Sequence, residues 1–308
     1  MRKSLLVATL LAGVAGSTFQ SNAALAAGYT LSTIDIPGAL LTSAAGINAG
    51  GTVVGYYTGN AGTVGFVDTA GSISTYTAPG ASTTLSLGIN DAGTFVSTVY
   101  NPVGASSGLV SNGTTVNFPG TTGVSQATGI NNTGTVVGNY LDASFVQHGF
   151  IDIGGVFSTI DPAGSTFTSV NGINNLGTVV GGYTDGSGSS FGFSDANGVF
   201  TTIDVSLSTT TTVSGINDAG VIVGDYTDSS GVTHGFIDKS GVYSTIDFAG
   251  AISTDVLGIN DAGKIVGTYV DAAGVQHGFI GTVPEPVSLV LLGTGIAGLA
   301  LVRVRQRA

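Results

Sequence analysis

Three histidines, His148, His234 and His277, each precede Gly-Phe and stand in one phase of a repeating chain. Regularly spaced imidazoles could ring a divalent metal near an axis, because neutral imidazole is a good ligand for zinc, copper or nickel. The other three copies put Val64, Ser107 and Phe191 in that slot, so the environment accepts apolar groups. A structural or rim role is therefore expected for the histidines, and no metal site. Aspartate recurs in two phases, Asp35, Asp161, Asp204 and Asp247 in one, Asp142, Asp185, Asp228 and Asp271 in the other. No loop has the dense oxygen spacing of a calcium site, so both phases read as turn chemistry.

Catalytic patterns are absent. The sequence has no Cys, no Gly-x-Ser-x-Gly before a helix, no His-Glu-x-x-His and no phosphate-cradling loop leading into a helix, and its one glutamate, Glu285, lies near the C-terminus. A glycosidase would need an aspartate pair that periodicity does not single out. Tyr57, Tyr140, Tyr183, Tyr226 and Tyr269 share a phase, as do Phe66, Phe150, Phe193, Phe236 and Phe279. One aromatic per copy at fixed phase is expected to be core between repeats. No catalytic residue, cofactor or metal ligand is assigned.

The elements that must carry these residues follow from the repeat. Gly-Ile-Asn begins at Gly46, Gly88, Gly129, Gly172, Gly215 and Gly258, at intervals of 42, 41, 43, 43 and 43 residues. Each copy holds four stretches rich in Val, Ile, Tyr, Phe and Thr, separated by Asp, Asn and Gly, the signature of short strands in a meander. The Asn-Asp-Ala-Gly type of connection suits a type I turn closed by a left-handed residue. Runs such as Val221-Ile-Val223 are apolar on both faces and must be covered on both, as in a blade packed between blades.

The chain ends complement each other. Residues 29–35, Tyr-Thr-Leu-Ser-Thr-Ile-Asp, copy the fourth-strand sentence at residues 242–247, and the last copy stops after its third strand. The expected fold is all-β, a six-bladed β-propeller of four-stranded antiparallel blades, with the N-terminal strand completing the last blade. The second copy departs most from the others, above all over residues 94–119, and a rim specialisation is expected there.

The outer segments read as addresses. Arg2 and Lys3, an apolar run and Ala24-Leu-Ala26 predict a secretory signal peptide over 1–26, cleaved near Ala24 and Ala26. Residues 27–283 are then the propeller body, and 284–308 form a tail: Pro284-Glu285-Pro286, an apolar stretch, then Arg303, Arg305 and Arg307. The sixteen residues of that apolar stretch, 287–302, are slightly short for a spanning helix, but the basic residues beyond them would hold that end in the cytoplasm. Its order of parts resembles the PEP-CTERM sorting signal of exopolysaccharide-producing bacteria. The resemblance implies recognition and processing by an exosortase at the membrane, the alternative being a plain anchor. The His-Gly-Phe elements and their surroundings resemble the HAF family of extracellular repeats, with Gly for the middle Ala. That family implies an exported repeat protein without an established catalytic activity.

Residues 28–283 carry 17 Asp, no Glu, no Arg and only Lys239 and Lys264, a net charge of −15. Nucleic acid and anionic lipid surfaces are therefore poor partners of the body. No cysteine means no disulfide framework. The expectation is an exported, non-catalytic interaction or scaffold protein, membrane-anchored before processing and at the surface or outside the cell after it. Its expected partners are the exosortase, exopolysaccharide and envelope proteins. The rivals are a carbohydrate-active hydrolase or lyase using Asp residues at the channel, and a self-assembling surface-layer component.

Overall fold

The structure, a computed structural model, describes residues 24–26, 28–121 and 123–283. Pro284, Glu285, Pro286, Arg303, Arg305 and Arg307, and most of the signal-peptide segment, lie outside the described residues. Within them the chain is all β: six four-stranded antiparallel blades follow one another around an axis. The first blade is typical, with strands Leu41–Ile47, Val53–Gly59, Gly62–Thr69 and Ser72–Tyr76 in spatial order. Among the described residues no helix is long and apolar enough to cross a membrane.

The innermost strand of each blade carries the Gly-Ile-Asn sentence, for two reasons. Its glycine faces the neighbouring blade's glycine: a Cβ on Gly88 would lie 2.8 Å from the Thr128 carbonyl oxygen and 2.9 Å from the Gly129 Cα. On Gly258 it would lie 3.0 Å from the Ala45 carbonyl oxygen, across the join of last blade to first. Only glycine lets the inner strands approach this closely.

Its asparagine is the second reason. Each buried side chain donates from Nδ2 to the main-chain oxygen of the next copy's asparagine. The chain of donors runs Asn48 to Asn90, Asn131, Asn174, Asn217 and Asn260, and Asn260 donates to Asn48 at 2.9 Å. The same side chains accept through Oδ1 from the amide four residues on, for example Val221 at 2.9 Å. The turn glycines between, such as Gly220 at φ 74°, take the left-handed conformation the sequence required.

Between blades the core is built from the phenylalanine phase. Phe66, Phe150, Phe236 and Phe279 are fully buried and Phe193 almost so, each stabilising its interface by about 1.5–3 kcal/mol. The ring fits because the second strand places glycine beneath it. A Cβ on Gly224 would collide with the Thr212 carbonyl oxygen and lie 3.0 Å from the Phe236 ring. In the second blade Ser97 replaces that glycine and Leu109 replaces the phenylalanine, so the two exceptions occur together.

The ends close as expected. Tyr29–Ile34 pairs antiparallel with Gln276–Thr282 as the outer strand of the last blade. Leu31 is fully buried there, Tyr29 donates to the Gly263 carbonyl at 3.0 Å, and Thr33 and Tyr269 share a hydrogen bond of 2.9 Å. Ala24–Ala26 adds one more short strand outside it. The two residues expected at the signal cleavage, Ala24 and Ala26, therefore belong to an extra edge strand, whose loss would leave the four-stranded blade whole.

Candidate functional site

The ring has two faces. One carries the asparagine turns; the other carries the aspartate-led turns between second and third strands, and the ends of the fourth strands. Three places on these faces gather polar chemistry.

The first is the set of histidine clusters on the aspartate face. His148 Nδ1 lies 2.7 Å from Asp161 Oδ2 and its Nε2 3.5 Å from Asp142 Oδ2. His234 is held in the same way by Asp247 and Asp228, and His277 by Asp35 and Asp271. Each imidazole stacks on the tyrosine of the second strand, with centroids 5.2 Å apart for Tyr140, 5.3 Å for Tyr226 and 4.9 Å for Tyr269. The tyrosine hydroxyls in turn bond Thr159, Thr245 and Thr33. Both aspartate phases and the histidine phase thus converge in one half-buried cluster in each of the three blades that carry a histidine.

This corrects one expectation. The fourth-strand aspartates Asp35, Asp161 and Asp247 orient histidines rather than backbone amides; the reason is that their strands end directly beside the start of the third strand. The second-strand aspartates Asp142, Asp228 and Asp271 do both, while Asp185, in a blade without histidine, meets the backbone amides of its turn. Asp142 accepts from the Ser144 and Val146 amides as well as facing His148. The Val146 amide, with those other donors, holds the Asp142 carboxyl below its usual range. The Ser230 hydroxyl, followed by the Val232 amide, holds Asp228 at about 2. Burial alone would lower the His277 imidazole, but the hydrogen bonds and charges of Asp35 and Asp271 outweigh it and raise it above its ordinary value.

The three histidines sit on separate blades two strands out from the axis, so they do not converge on one ion. Both ring nitrogens of each already face carboxylates. Among the described residues no group of three or more His, Cys, Asp or Glu is arranged to hold a metal.

The second place is a cleft of about 720 Å³ between the second and third blades, opening on the asparagine face. It exists because the second blade is the irregular one. Its outer strand is only Thr115–Val116, and where four of the blades end their third strand on a capping aspartate, Asp68, Asp152, Asp195 or Asp238, it has Val110 and Ser111. Asn112, Thr115, Asn117, Asn132, Asp152 and Phe157 are among its lining residues. Phe157 is set by an edge contact with Phe118, centroids 5.7 Å apart, and Phe118 stacks flat on Tyr140 at 3.8 Å. The cleft combines one aromatic wall with amide and hydroxyl edges. One wall comes from the stretch where the sequence departs from its own repeat, and the other, with Asn132, Asp152 and Phe157, from the third copy.

The third place is the axial channel, which widens across the molecule. At the asparagine face it encloses about 70 Å³, at the glycine waist about 90 Å³, and towards the aspartate face about 320 Å³. The wide end is lined by Ser43, Tyr56, Thr128, Asn171, Thr212 and Asp225, with Leu87 and Leu257. Asp225 keeps an opening to the channel, yet protein surrounds it densely on its other sides. Burial, and then the nearby charge of Asp255, push it up to about 7, against the Thr212 hydroxyl that bonds it. Burial also raises Asp255, which accepts from the Thr268 hydroxyl at 3.3 Å.

Sequence reasoning missed this pair. Its signal was there: Asp225 is the one charged residue at a position occupied elsewhere by Tyr56, Thr98, Asn139, Gly182 and Thr268. Asp255 likewise stands alone among Ser43, Leu85, Gln126, Ser169 and Thr212.

No protein-family model matches the chain, and no curated protein matches it by sequence. Solved structures do. An arginine-to-alanine variant of AofleA from Arthrobotrys oligospora is similar over 82% of this chain and 86% of its own, at 13% identity and a TM-score of 0.51. A variant of the Aleuria aurantia lectin in complex with Fucalpha1-6GlcNAc is similar over 79% of this chain and 92% of its own, at 9% identity and a TM-score of 0.52. Another structure of that lectin, described as a six-bladed beta-propeller with a novel fucose recognition mode, covers 77% of this chain and 90% of its own at 10% identity and a TM-score of 0.48. The fold that these blades build is the six-bladed β-propeller, and the chain shares its fold with the Aleuria aurantia lectin variant.

Proposed function

We propose that the protein is an exported, non-catalytic carbohydrate-binding propeller, acting as an interaction or scaffold module in a bacterial surface matrix that contains exopolysaccharide. The observation that carries this reading is the cleft between the second and third blades. A sugar ring presents an apolar face and a hydroxyl edge, and the cleft offers Phe157 beside Asn112, Asn117, Asn132 and Asp152. The likeness in fold to lectins supports it. So do the His-Gly-Phe elements of the HAF type, and the tail from Pro284 to Arg307, which on this reading hands the chain to an exosortase. Cleavage near Ala26 and processing at the Pro-Glu-Pro motif would then leave residues 27–283 outside the inner membrane.

A glycan array probed with the full chain tests this. Binding to fucosylated or exopolysaccharide-derived glycans is expected, and Thr115→Trp, which fills the cleft from an exposed position, is expected to weaken it about tenfold or more. Absence of binding to any glycan, or binding indifferent to that substitution, would sink the reading. The rival is a hydrolase or lyase, and the observation in its favour is the Asp225 and Asp255 pair in the channel. Turnover of native exopolysaccharide, lost in Asp225→Asn, would replace the binding reading with the enzymatic one.

A further inference from the structure

Closing the ring requires the narrow end of the axial channel and its glycine waist, but not the chamber on the aspartate face. One group there is unexplained by the fold. Ser43 is 1% exposed, lines the chamber, and keeps its Oγ without a hydrogen-bond partner. A buried hydroxyl left unpaired is costly and rare, and it marks a place for a ligand atom.

The charges of the chamber are equally one-sided. Asp225 lines its wall and Asp255 lies near enough to act on it. The propeller body has no arginine, and its two lysines are on the opposite face: Lys239 ends a third strand there and Lys264 belongs to an asparagine turn. No cation of the protein therefore compensates the pair. A bare metal ion suits the chamber poorly, because the remaining walls are hydroxyls, one amide and the apolar Leu87 and Leu257. A positively charged organic group with its own hydrogen-bond donors suits it well. The volume of about 320 Å³ is of the size that takes one small molecule.

We propose that this chamber binds the protonated amino group of a small polyhydroxylated molecule, of which an amino sugar with a free amine is the simplest case. The ammonium is held by the carboxylate of Asp225, with the charge of Asp255 behind the wall adding to the field, and the hydroxyls of Ser43 and Tyr56 meet the hydroxyls of the ligand. The ligand enters from the aspartate face, since the glycine waist blocks the other end. This site is separate from the cleft and does not rest on the cleft binding sugar.

Calorimetric titration of the full chain with glucosamine, N-acetylglucosamine and glucose tests the proposal. One equivalent of glucosamine is expected to bind, with N-acetylglucosamine and glucose weaker by about tenfold or more, because neither offers a cation. Asp225→Asn is expected to remove the preference, and Ser214→Phe, which puts a ring into the chamber, to abolish binding of all three. Thr115→Trp, in the cleft, is expected to leave glucosamine binding unchanged, so failure of one site is distinguishable from failure of the other. No binding of glucosamine overturns the proposal. So does affinity no stronger than for glucose, or a preference that survives Asp225→Asn.

Discussion

At the scale of single residues, His277 shows how the protein uses its few titratable groups. Asp35 and Asp271 raise its imidazole above the ordinary value of 6.5. The folded chain therefore holds a proton there that the unfolded chain releases near pH 6.5. The stabilisation is complete below that pH and is lost as pH rises through the folded value. Thermal unfolding followed from about pH 6 to about pH 8 is expected to show a falling melting temperature, to which the raised carboxyl of Asp225 also contributes, and His277→Phe to reduce that slope in part. Phe191 fills the equivalent slot in the fourth blade, so the substitution suits the site; an unchanged slope would remove His277 as its source. The cluster explains why histidine and aspartate share a repeat, a connection that periodicity alone did not reveal. Residues 13 apart, such as His148 and Asp161, meet only once two strands are laid side by side.

At the scale of elements, the N-terminal strand decides whether the ring is closed. Deleting residues 29–35 removes the buried Tyr29, Leu31 and Ile34 together with a full antiparallel ladder. A sharply lower melting temperature is expected by calorimetry, since one large buried aliphatic residue alone contributes about 2–5 kcal/mol. An unchanged transition would mean that the ring stands without its clasp. This element was legible in the sequence, because a copy of the fourth-strand sentence stood at the wrong end of the chain. The order of strands, the turn glycines and the aromatic core were legible for the same reason: each recurs at fixed phase. The cleft was legible only as the place where the second copy breaks the pattern. The Asp225 and Asp255 pair was not read, because each occurs once and a search for repeated signals passes over it.

At the scale of the whole molecule, the asparagine ring ties every blade to the next in one direction. In Asn217→Ala the Val221 amide loses its acceptor, whereas the Asn260 carbonyl loses one donor and keeps the Gly263 amide at 2.9 Å, so the cost is about 1–3 kcal/mol for the one group left unpaired. A denaturant midpoint lowered without loss of the cooperative transition is expected; a change of less than about 0.5 kcal/mol would show that water replaces the side chain. A second tier of bonds runs outside the first, as from the Ala49 amide to Asp91 and the Asp218 amide to Asp261. Ala49 offers no acceptor to Asp261 in return. The join of last blade to first thus has one tier where the other joins have two, and leans on the N-terminal strand instead.

That strand also sets the mechanics of the molecule. Gln276–Thr282, from which the chain leaves the body, is flanked on one side by Ile265–Val270 and on the other by Tyr29–Ile34. A pull on anything attached beyond Val283 therefore loads two hydrogen-bonded ladders in shear at once, instead of peeling one exposed edge. The chain is hung from the middle of a sheet, and a drag on the body tightens against both neighbours before either can slip.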